Sequence, residues 1–238
     1  MEYIPSNAED AALHRKFHAM NFGGVDFTKS VTDRMRQKQI WSGGDGSFIA
    51  VVGRRDALVL RNKASDVLKV VNTELAAVSI ADEELWSQTV PTSISAKASD
   101  TEKEAPALGD RYKVYMYVLG QKCVGACLAE RIQEAYTVLD QGDTNEQAKT
   151  LSAETQSSSI SISTAASPAI LGISRIWTSK QSRGRGLAKR LLDSARSDFL
   201  YGLTIDKEMV AFSQPTESGG KLARKWFGCQ AGWHVYID

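Results

Sequence analysis

An apolar run ending in Ile176-Trp177-Thr178 stops abruptly at Gln181-Ser182-Arg183-Gly184-Arg185-Gly186, and a segment with helically spaced leucines follows at once. That order predicts a strand, a glycine-containing turn and the start of a helix. The first N–H groups of a helix have no intrahelical partners and sit at the positive end of its dipole, so such a turn is suited to an anion. Glycine at 184 and 186 opens backbone conformations closed to other residues and lets the main chain approach a bulky ligand. Lys180, Arg183 and Arg185 add positive charge around the same turn. A diphosphate is the ligand this chemistry suits.

Two common diphosphate loops do not fit. No G-x-x-x-x-G-K-[ST] run occurs, and Lys189 occupies the third glycine position of a dinucleotide-binding G-x-G-x-x-G. Gln181-x-x-Gly184-x-Gly186 does fit Q/R-x-x-G-x-G/A and resembles the pyrophosphate loop of acetyl-CoA-dependent N-acetyltransferases of the GNAT superfamily. Six residues alone leave a second reading open, a basic solvated turn ahead of an ordinary helix.

The flanking residues narrow the choice. Gly172-Ile173-Ser174-Arg175-Ile176-Trp177, Tyr201-Gly202 and Ala211-Phe212-Ser213-Gln214-Pro215-Thr216 together resemble the cohesin acetyltransferase family. Val124-Gly125-Ala126-Cys127-Leu128-Ala129-Glu130 is similar to that family's VGC-x-x-AE strand, and Val235-Tyr236 to its C-terminal VY. The resemblance runs in order from about Val25 to the end of the chain. It implies the GNAT fold, an α/β arrangement of a mostly antiparallel, centrally splayed sheet flanked by helices.

The elements that would position these residues can be read from local patterns. Ser6-Asn7-Ala8-Glu9 has capping-box spacing and predicts a helix with Leu13 and Phe17 on its apolar side and His14 and His18 together on one face. H-x-x-x-H is half of a Cys2His2 zinc site, and no cysteine precedes His14. From the residues alone, His14 and His18 are two partly exposed helix histidines. In the family such a finger precedes the acetyltransferase domain, so the resemblance implies that residues 1–24 are the remnant of a zinc finger, a short helix without its cysteine knuckle, and no structural zinc is expected. Residues 25–238 are expected to form the acetyltransferase domain.

Within that domain, a strand ending at Ile40-Trp41, the turn Ser42-Gly43-Gly44-Asp45-Gly46 and Ser47 to Val52 read as a hairpin. Ala64 to Ala77 has a helical stripe of Val67, Leu68, Val71 and Leu75. Residues 91–109 are polar and aperiodic, which predicts a flexible loop. Tyr112 to Leu119 and Lys122 to Arg131 predict two strands around Gly120. Residues 140–168 are rich in Ser, Thr, Gln and Ala, and are expected to be a mobile, low-complexity insertion because they have little apolar surface to bury. A strand over Ala169–Thr178, a helix over Gly186–Leu200, a strand over Met209–Phe212, a helix over Thr216–Phe227 and a strand over Trp233–Ile237 complete the order.

Composition sets outer bounds. A chain of 238 residues with 42% hydrophobic residues can bury a sizeable core. No stretch approaches the roughly 18–20 apolar residues that span a bilayer, so no membrane partner is expected. Net charge is +1, so any nucleic-acid affinity would have to be local. Cys123, Cys127 and Cys229 form no disulfide framework and suit a reducing compartment. The resemblance selects the nucleus.

The activity the resemblance implies is acetyl transfer from acetyl-CoA, as cosubstrate, to lysine ε-amines on the SMC-type subunit of cohesin. The lysine would attack the thioester directly. Other cohesin subunits and the replication clamp would be reached through residues upstream of this chain. Cofactor contacts implied are Ile176, Trp177 and Thr178 on a strand edge, Arg183, Gly184, Arg185, Gly186, Leu187, Ala188 and Lys189 at the loop, and Thr216, Glu217 and Ser218 at the next helix.

Lysine has a pKa near 10.4, so holding the amine neutral at pH 7 costs about 4–5 kcal/mol without a base or desolvation. Ser174, Gln214 and Asp193 are the catalytic candidates. Animal members of the family carry aspartate where this chain has Gln214. An amide orients an amine but accepts no proton, which turns attention to the carboxylate of Asp193 and secondarily to Glu130. Cys123 and Cys127, four apart on a strand, are expected to be buried apolar residues. The competing readings are a non-catalytic chromatin-binding module and a GNAT enzyme with another amine acceptor.

Overall fold

The computed structural model describes residues 8–89, 109–140, 151–153 and 160–237. The N-terminal half holds helix α1 (Ala8–Gly23), strand β1 (Val25–Asp26), helix α2 (Lys29–Arg36), strands β2 (Gln39–Ser42) and β3 (Phe48–Val52), and helices α3 (Leu58–Leu75) and α4 (Asp82–Leu85). Strands β4 (Tyr112–Leu119), β5 (Lys122–Arg131), β6 (Glu134–Val138), β7 (Leu151–Ala153), β8 (Ile160–Pro168) and β9 (Leu171–Thr178) follow. The chain closes with helix α5 (Leu187–Asp198), strand β10 (Val210–Ser213), helix α6 (Glu217–Phe227) and strand β11 (His234–Tyr236).

Ten of the strands lie in the order β2-β3-β4-β5-β9-β10-β11-β6-β8-β7, with β1 added beside β5. Among the described residues, only the β9–β10 and β10–β11 pairs are parallel. The sheet is therefore mostly antiparallel, as expected. Apolar layers cover both of its faces. One joins α3 and Met35 of α2 to Phe48, Val114, Cys123 and Trp177, and the other joins α5 and α6 to Tyr115, Cys127, Ile173 and Phe212. A strand buried on both faces needs a continuous apolar run rather than alternation, which is why β5 reads Cys-Val-Gly-Ala-Cys-Leu-Ala.

The hairpins β2–β3 and β4–β5 and the inward face of α5 (Leu187, Leu191, Leu192 and Ala195) form as the patterns predict. Strands β1, β6 and β7 and helix α4 form where no local pattern predicts an element, and three further elements differ. Helix α3 starts at Leu58 rather than Ala64, because the turn before it is closed by Asp56 accepting from the Gly53 N–H at 2.8 Å. Helix α2 has no counterpart in the periodicity analysis. It is eight residues long, buries only Thr32 and Met35, and is started by the Thr28 side chain accepting from the Val31 N–H.

The third difference corrects the expected mobile insertion at residues 140–168. Residues 160–168 of that stretch are strand β8, paired antiparallel with β6 through Glu134↔Pro168, Ala135↔Ser167 and Val138↔Ile162. Strand β8 buries one large side chain, Ile162, and relies on its ladder with β6, which is itself held by β11. Composition measures side-chain burial and misses a strand held mainly by its main chain. Residues 141–150 and 154–159 of that stretch, the capping residue Ser6, and the expected loop up to residue 108 lie outside the described residues.

Candidate active site

The site begins where two parallel strands separate. Strands β9 and β10 pair only at Leu171↔Val210, Gly172↔Ala211 and Ile173↔Phe212. Strand β9 then continues to Thr178 along β5 alone, while β10 continues to Ser213 along β11. The separation coincides with a bulge. Ala129 faces Ile173 and Leu128 faces Arg175, so Ser174 is the extra residue in β9. A bulge bends its strand and increases local twist, which carries β9 away from β10 at that point.

Past the bulge, β9 has a free edge. The Ser179 N–H bonds the Val124 carbonyl of β5 at 2.9 Å. Alternation along an antiparallel pair then turns the main-chain groups of Ile176 and Thr178 to the opposite side, toward the gap. Those are donors and acceptors that an extended, amide-containing ligand can match as a further strand would. The Trp177 side chain points away from the gap, 3% exposed within the α3-side core. Its indole is packing, and only the main chain of this segment is available to a ligand.

At the end of the free edge stands the glycine loop. Ser179 and Ser182 are buried and bonded to each other, with hydroxyl oxygens 3.0 Å apart and the Ser182 N–H on the Ser179 carbonyl at 2.9 Å. This tight turn delivers Gly184 and Gly186, both left-handed with φ of 77° and 79°. Gly186 is the N-cap of α5 and supplies no side-chain acceptor, and the first intrahelical bond of the turn is from the Arg190 N–H to the Gly186 carbonyl. The N–H groups of Leu187, Ala188 and Lys189 thus lie ahead of the helix ladder, aimed at the loop. A Cβ at either glycine would meet no protein atom within 4 Å. These glycines face open space, so their need is conformational and concerns what approaches from outside.

A cavity of about 320 Å³ opens beside this loop. Thr178, Arg183, Gly184, Gly186, Leu187 and Lys189 line one wall, and Leu222, Lys225 and Trp226 of α6 line the other. The α6 contribution escaped the residue-by-residue reading. Its one signal is the four-residue spacing of Leu222 and Trp226 on the inward face of a predicted helix. Arg185 is exposed on the loop and does not line this cavity.

Thr216, Glu217 and Ser218 are exposed at the start of α6 and also lie outside the cavity lining. The Thr216 hydroxyl caps the helix by accepting from the Gly219 N–H at 3.2 Å, and Glu217 pairs with Lys221 at 2.6 Å.

The three catalytic candidates differ in placement. Ser174 is buried at the bulge, where Arg175 donates to its hydroxyl at 3.0 Å and to its carbonyl at 2.8 Å. Gln214 lies just beyond the end of β10, exposed, with a positive φ of 24° that non-glycine residues rarely adopt. These two residues follow the last paired residues of the diverging strands, Ile173 and Phe212. Asp193 sits elsewhere: its carboxylate accepts from the Trp226 indole N–H at 2.8 Å and ties α5 to α6.

Asp193→Asn preserves an acceptor for that indole and is expected to melt within about 1 kcal/mol of wild type, whereas Asp193→Ala leaves the N–H unpaired and costs about 1–3 kcal/mol. Thermal denaturation checks the pair. Turnover measured on Asp193→Asn separates a carboxylate that accepts a proton from one that only joins helices.

Glu130 is an ion-pair anchor. Arg111 donates to it from Nε and Nη2 at 3.2 and 3.1 Å, and Tyr236 donates from its hydroxyl at 3.1 Å. The ring of Tyr236 covers Gly172 so closely that a Cβ there would lie 2.7 Å from it. Cys123 and Cys127 are fully buried, and burial pushes both thiols up to about 12. A neutral thiol is neither a nucleophile nor a metal ligand at pH 7, which fits the expected packing role. On α1, the Nε2 atoms of His14 and His18 lie 2.9 Å apart. Among the described residues no group of three or more His, Cys, Asp or Glu side chains is placed to hold a metal ion.

In sequence and in fold this chain is similar to known proteins. The ESCO1/2 acetyl-transferase family model matches residues 167–236, the segment from the end of β8 to β11. The N-acetyltransferase eso1 of Schizosaccharomyces pombe is 32% identical over 226 residues, covering 95% of this chain and 22% of that protein. The N-acetyltransferase ESCO2 of Danio rerio is 32% identical over 234 residues, covering 97% of this chain and 33% of its own length. A solved structure of the xEco2 acetyltransferase domain bound to a K105–CoA conjugate superposes with a TM-score of 0.59 at 29% identity, covering 84% of this chain and 96% of that one.

The chain belongs to the cohesin acetyltransferase family.

What it shares with these relatives is their acetyltransferase domain, a fifth to a third of the length of the eso1 and zebrafish proteins. Cohesin acetyltransferases therefore supply the frame for the geometry above.

Proposed function

We propose that this chain transfers acetyl from acetyl-CoA to lysine ε-amines of the SMC-type subunit of cohesin, by direct attack of the amine on the thioester, and that it works in the nucleus. One observation carries this reading. The only diverging parallel pair among the described strands ends in a free strand edge, and that edge runs straight into a left-handed glycine loop at a helix N-terminus. A pantetheine arm needs the first and a pyrophosphate the second. The relative whose domain is bound to a K105–CoA conjugate supports the same pairing of ligand and acceptor.

In this reading the N–H groups of Leu187, Ala188 and Lys189 hold the pyrophosphate, and the main chain of Ile176 together with the Thr178 N–H holds the pantetheine amides. Arg183, Gly184, Arg185 and Gly186 shape the loop, and Trp177 fixes the strand from the core side. Thr216, Glu217 and Ser218, exposed at the start of α6 and outside the cavity lining, are the second region of cofactor contact in this reading. An N–H on the free edge of β9 supplies a preorganised donor for the oxygen on which charge develops.

The acceptor lysine enters at the mouth of the splay. The Gln214 amide orients its amine, and the Ser174 hydroxyl, polarised by Arg175, relays the proton. With Asp193 occupied by Trp226 and Glu130 by Arg111 and Tyr236, the proton passes on to solvent.

The test is mass spectrometry of a cohesin SMC head fragment after incubation with this protein and acetyl-CoA. Acetylated lysines that appear only with both components support the reading. Acetylation of free amines or of chain N-termini alone would move the acceptor elsewhere. Thermal stabilisation by duplex DNA with none by acetyl-CoA would replace the enzyme with a chromatin-binding module.

A further inference from the structure

Glu74 is an odd residue for its position. It lies in the last turn of α3, at the negative end of the helix dipole, in a turn with no basic residue. It is also the carboxylate bonded to the loop, whose other charges, Lys180, Arg183, Arg185 and Lys189, are all positive. Next to an anion site a carboxylate repels the ligand. Both placements are unfavourable, yet the side chain is only 19% exposed and both oxygens are engaged.

Its partners show what it does. Glu74 Oε1 accepts from Arg183 Nη2 at 3.2 Å, and Oε2 accepts from the Asn21 amide of α1. Asn21, 3% exposed, accepts in turn from the Trp177 indole of β9 at 3.4 Å. Arg183 Nε reaches the Thr178 carbonyl at 3.4 Å and closes the ring. Four separate pieces of the chain, α1, α3, the end of β9 and the glycine loop, thus meet in one polar chain. Three of its members, Asn21, Trp177 and Glu74, lie outside the cavity lining.

We propose that Glu74, seated by Asn21, is a positioning residue. It holds Arg183 back from the anion and fixes the loop, so that the ligand is gripped by main-chain N–H groups rather than by the guanidinium. The inference rests on the reading that this loop binds the pyrophosphate of coenzyme A. It goes beyond that reading by making the junction of α1 and α3 a determinant of cofactor affinity.

The two possible roles of Arg183 predict opposite signs. If Arg183 were a phosphate ligand restrained by Glu74, then Glu74→Gln would release a cation and tighten binding. If Glu74 positions the loop, Glu74→Gln loosens it and weakens binding. Calorimetry with CoA and steady-state kinetics with acetyl-CoA distinguish them.

The expected result for Glu74→Gln is a Kd for CoA and a KM for acetyl-CoA raised roughly five- to tenfold, the size of one lost charge-assisted bond. kcat at saturating acetyl-CoA should stay within about twofold, the mark of uniform binding lost. Arg183→Gln should weaken CoA by a similar factor, and the double variant should be no weaker than the weaker single one, because both break the same link.

Unchanged or tighter CoA binding by Glu74→Gln overturns the inference, as does full additivity in the double variant. Should Glu74→Gln fold poorly, Asn21→Ala carries the test, since it unseats Glu74 without touching the loop: a raised Kd for CoA supports the positioning role, and an unchanged or lowered Kd overturns it. If wild-type protein bound no CoA, the underlying reading would fall with the inference. Wild-type binding with an indifferent Glu74→Gln removes this inference alone.

Discussion

Replacing Gly186 by alanine is expected to cut kcat/KM for acetyl-CoA by roughly 100-fold, the cost of displacing bound groups by on the order of 1 Å. The same change should lower folding stability by only about 1–2 kcal/mol. The two numbers come from different parts of the structure. Gly186 has φ of 79° and ψ of 7°, so any side chain pays the left-handed penalty once. A methyl there meets no protein atom, so packing adds nothing to that cost. The loss of affinity comes instead from the backbone: relaxation of the strained turn moves the Leu187, Ala188 and Lys189 N–H groups off their target.

Gly184→Ala, at φ of 77°, should behave alike. Calorimetry with CoA beside thermal denaturation decides the matter. Wild-type affinity in a folded Gly186→Ala protein would mean that the loop does not hold the ligand. For a domain of this size, each kcal/mol corresponds to roughly 2–4 °C in Tm, so a modest shift accompanied by a large affinity loss is the expected signature.

Gln214→Gly should lose turnover by about 100-fold on the protein substrate, while its stability stays within about 1 kcal/mol of wild type. Gln214 holds φ at 24° directly after the last residue of β10, and strain of this kind costs about 1–3 kcal/mol. Glycine removes the strain together with the amide, so a drop in rate cannot be ascribed to unfolding. Gln214→Ala keeps the strain and loses the amide, and should match the glycine variant in rate but not exceed it in stability.

Ser174→Ala should likewise reduce turnover more than cofactor affinity, because Arg175 retains the Ser174 carbonyl as a partner at 2.8 Å. Full turnover in Gln214→Gly or Ser174→Ala on an SMC head fragment would withdraw that residue from the chemistry.

Local pattern and tertiary assembly divide the determination of this protein between them. The hairpins β2–β3 and β4–β5, the inward stripe of α5 and the glycine turn ahead of it were all legible along the chain. Each depends on contacts between near neighbours in sequence: periodicity, turn glycines and a helix terminus. Helix α2 and strands β6 and β8 were not legible, since their stabilising partners come from distant segments. Strand β8 shows this most plainly, with one large buried residue, Ile162, and a main-chain ladder to β6.

The same division holds at the site. Ser174 and Gln214 follow the paired ends of the diverging strands only because a bulge sends β9 away from β10 after three paired residues. The two residues are forty positions apart, and neither periodicity nor spacing places them past the end of one strand pair. Trp226 claiming Asp193, and Glu74 claiming Arg183, are likewise decisions of packing. A charged side chain reads the same in sequence whether solvated or paired, and only the approach of a distant helix, α6 in one case and α3 in the other, sets which it becomes.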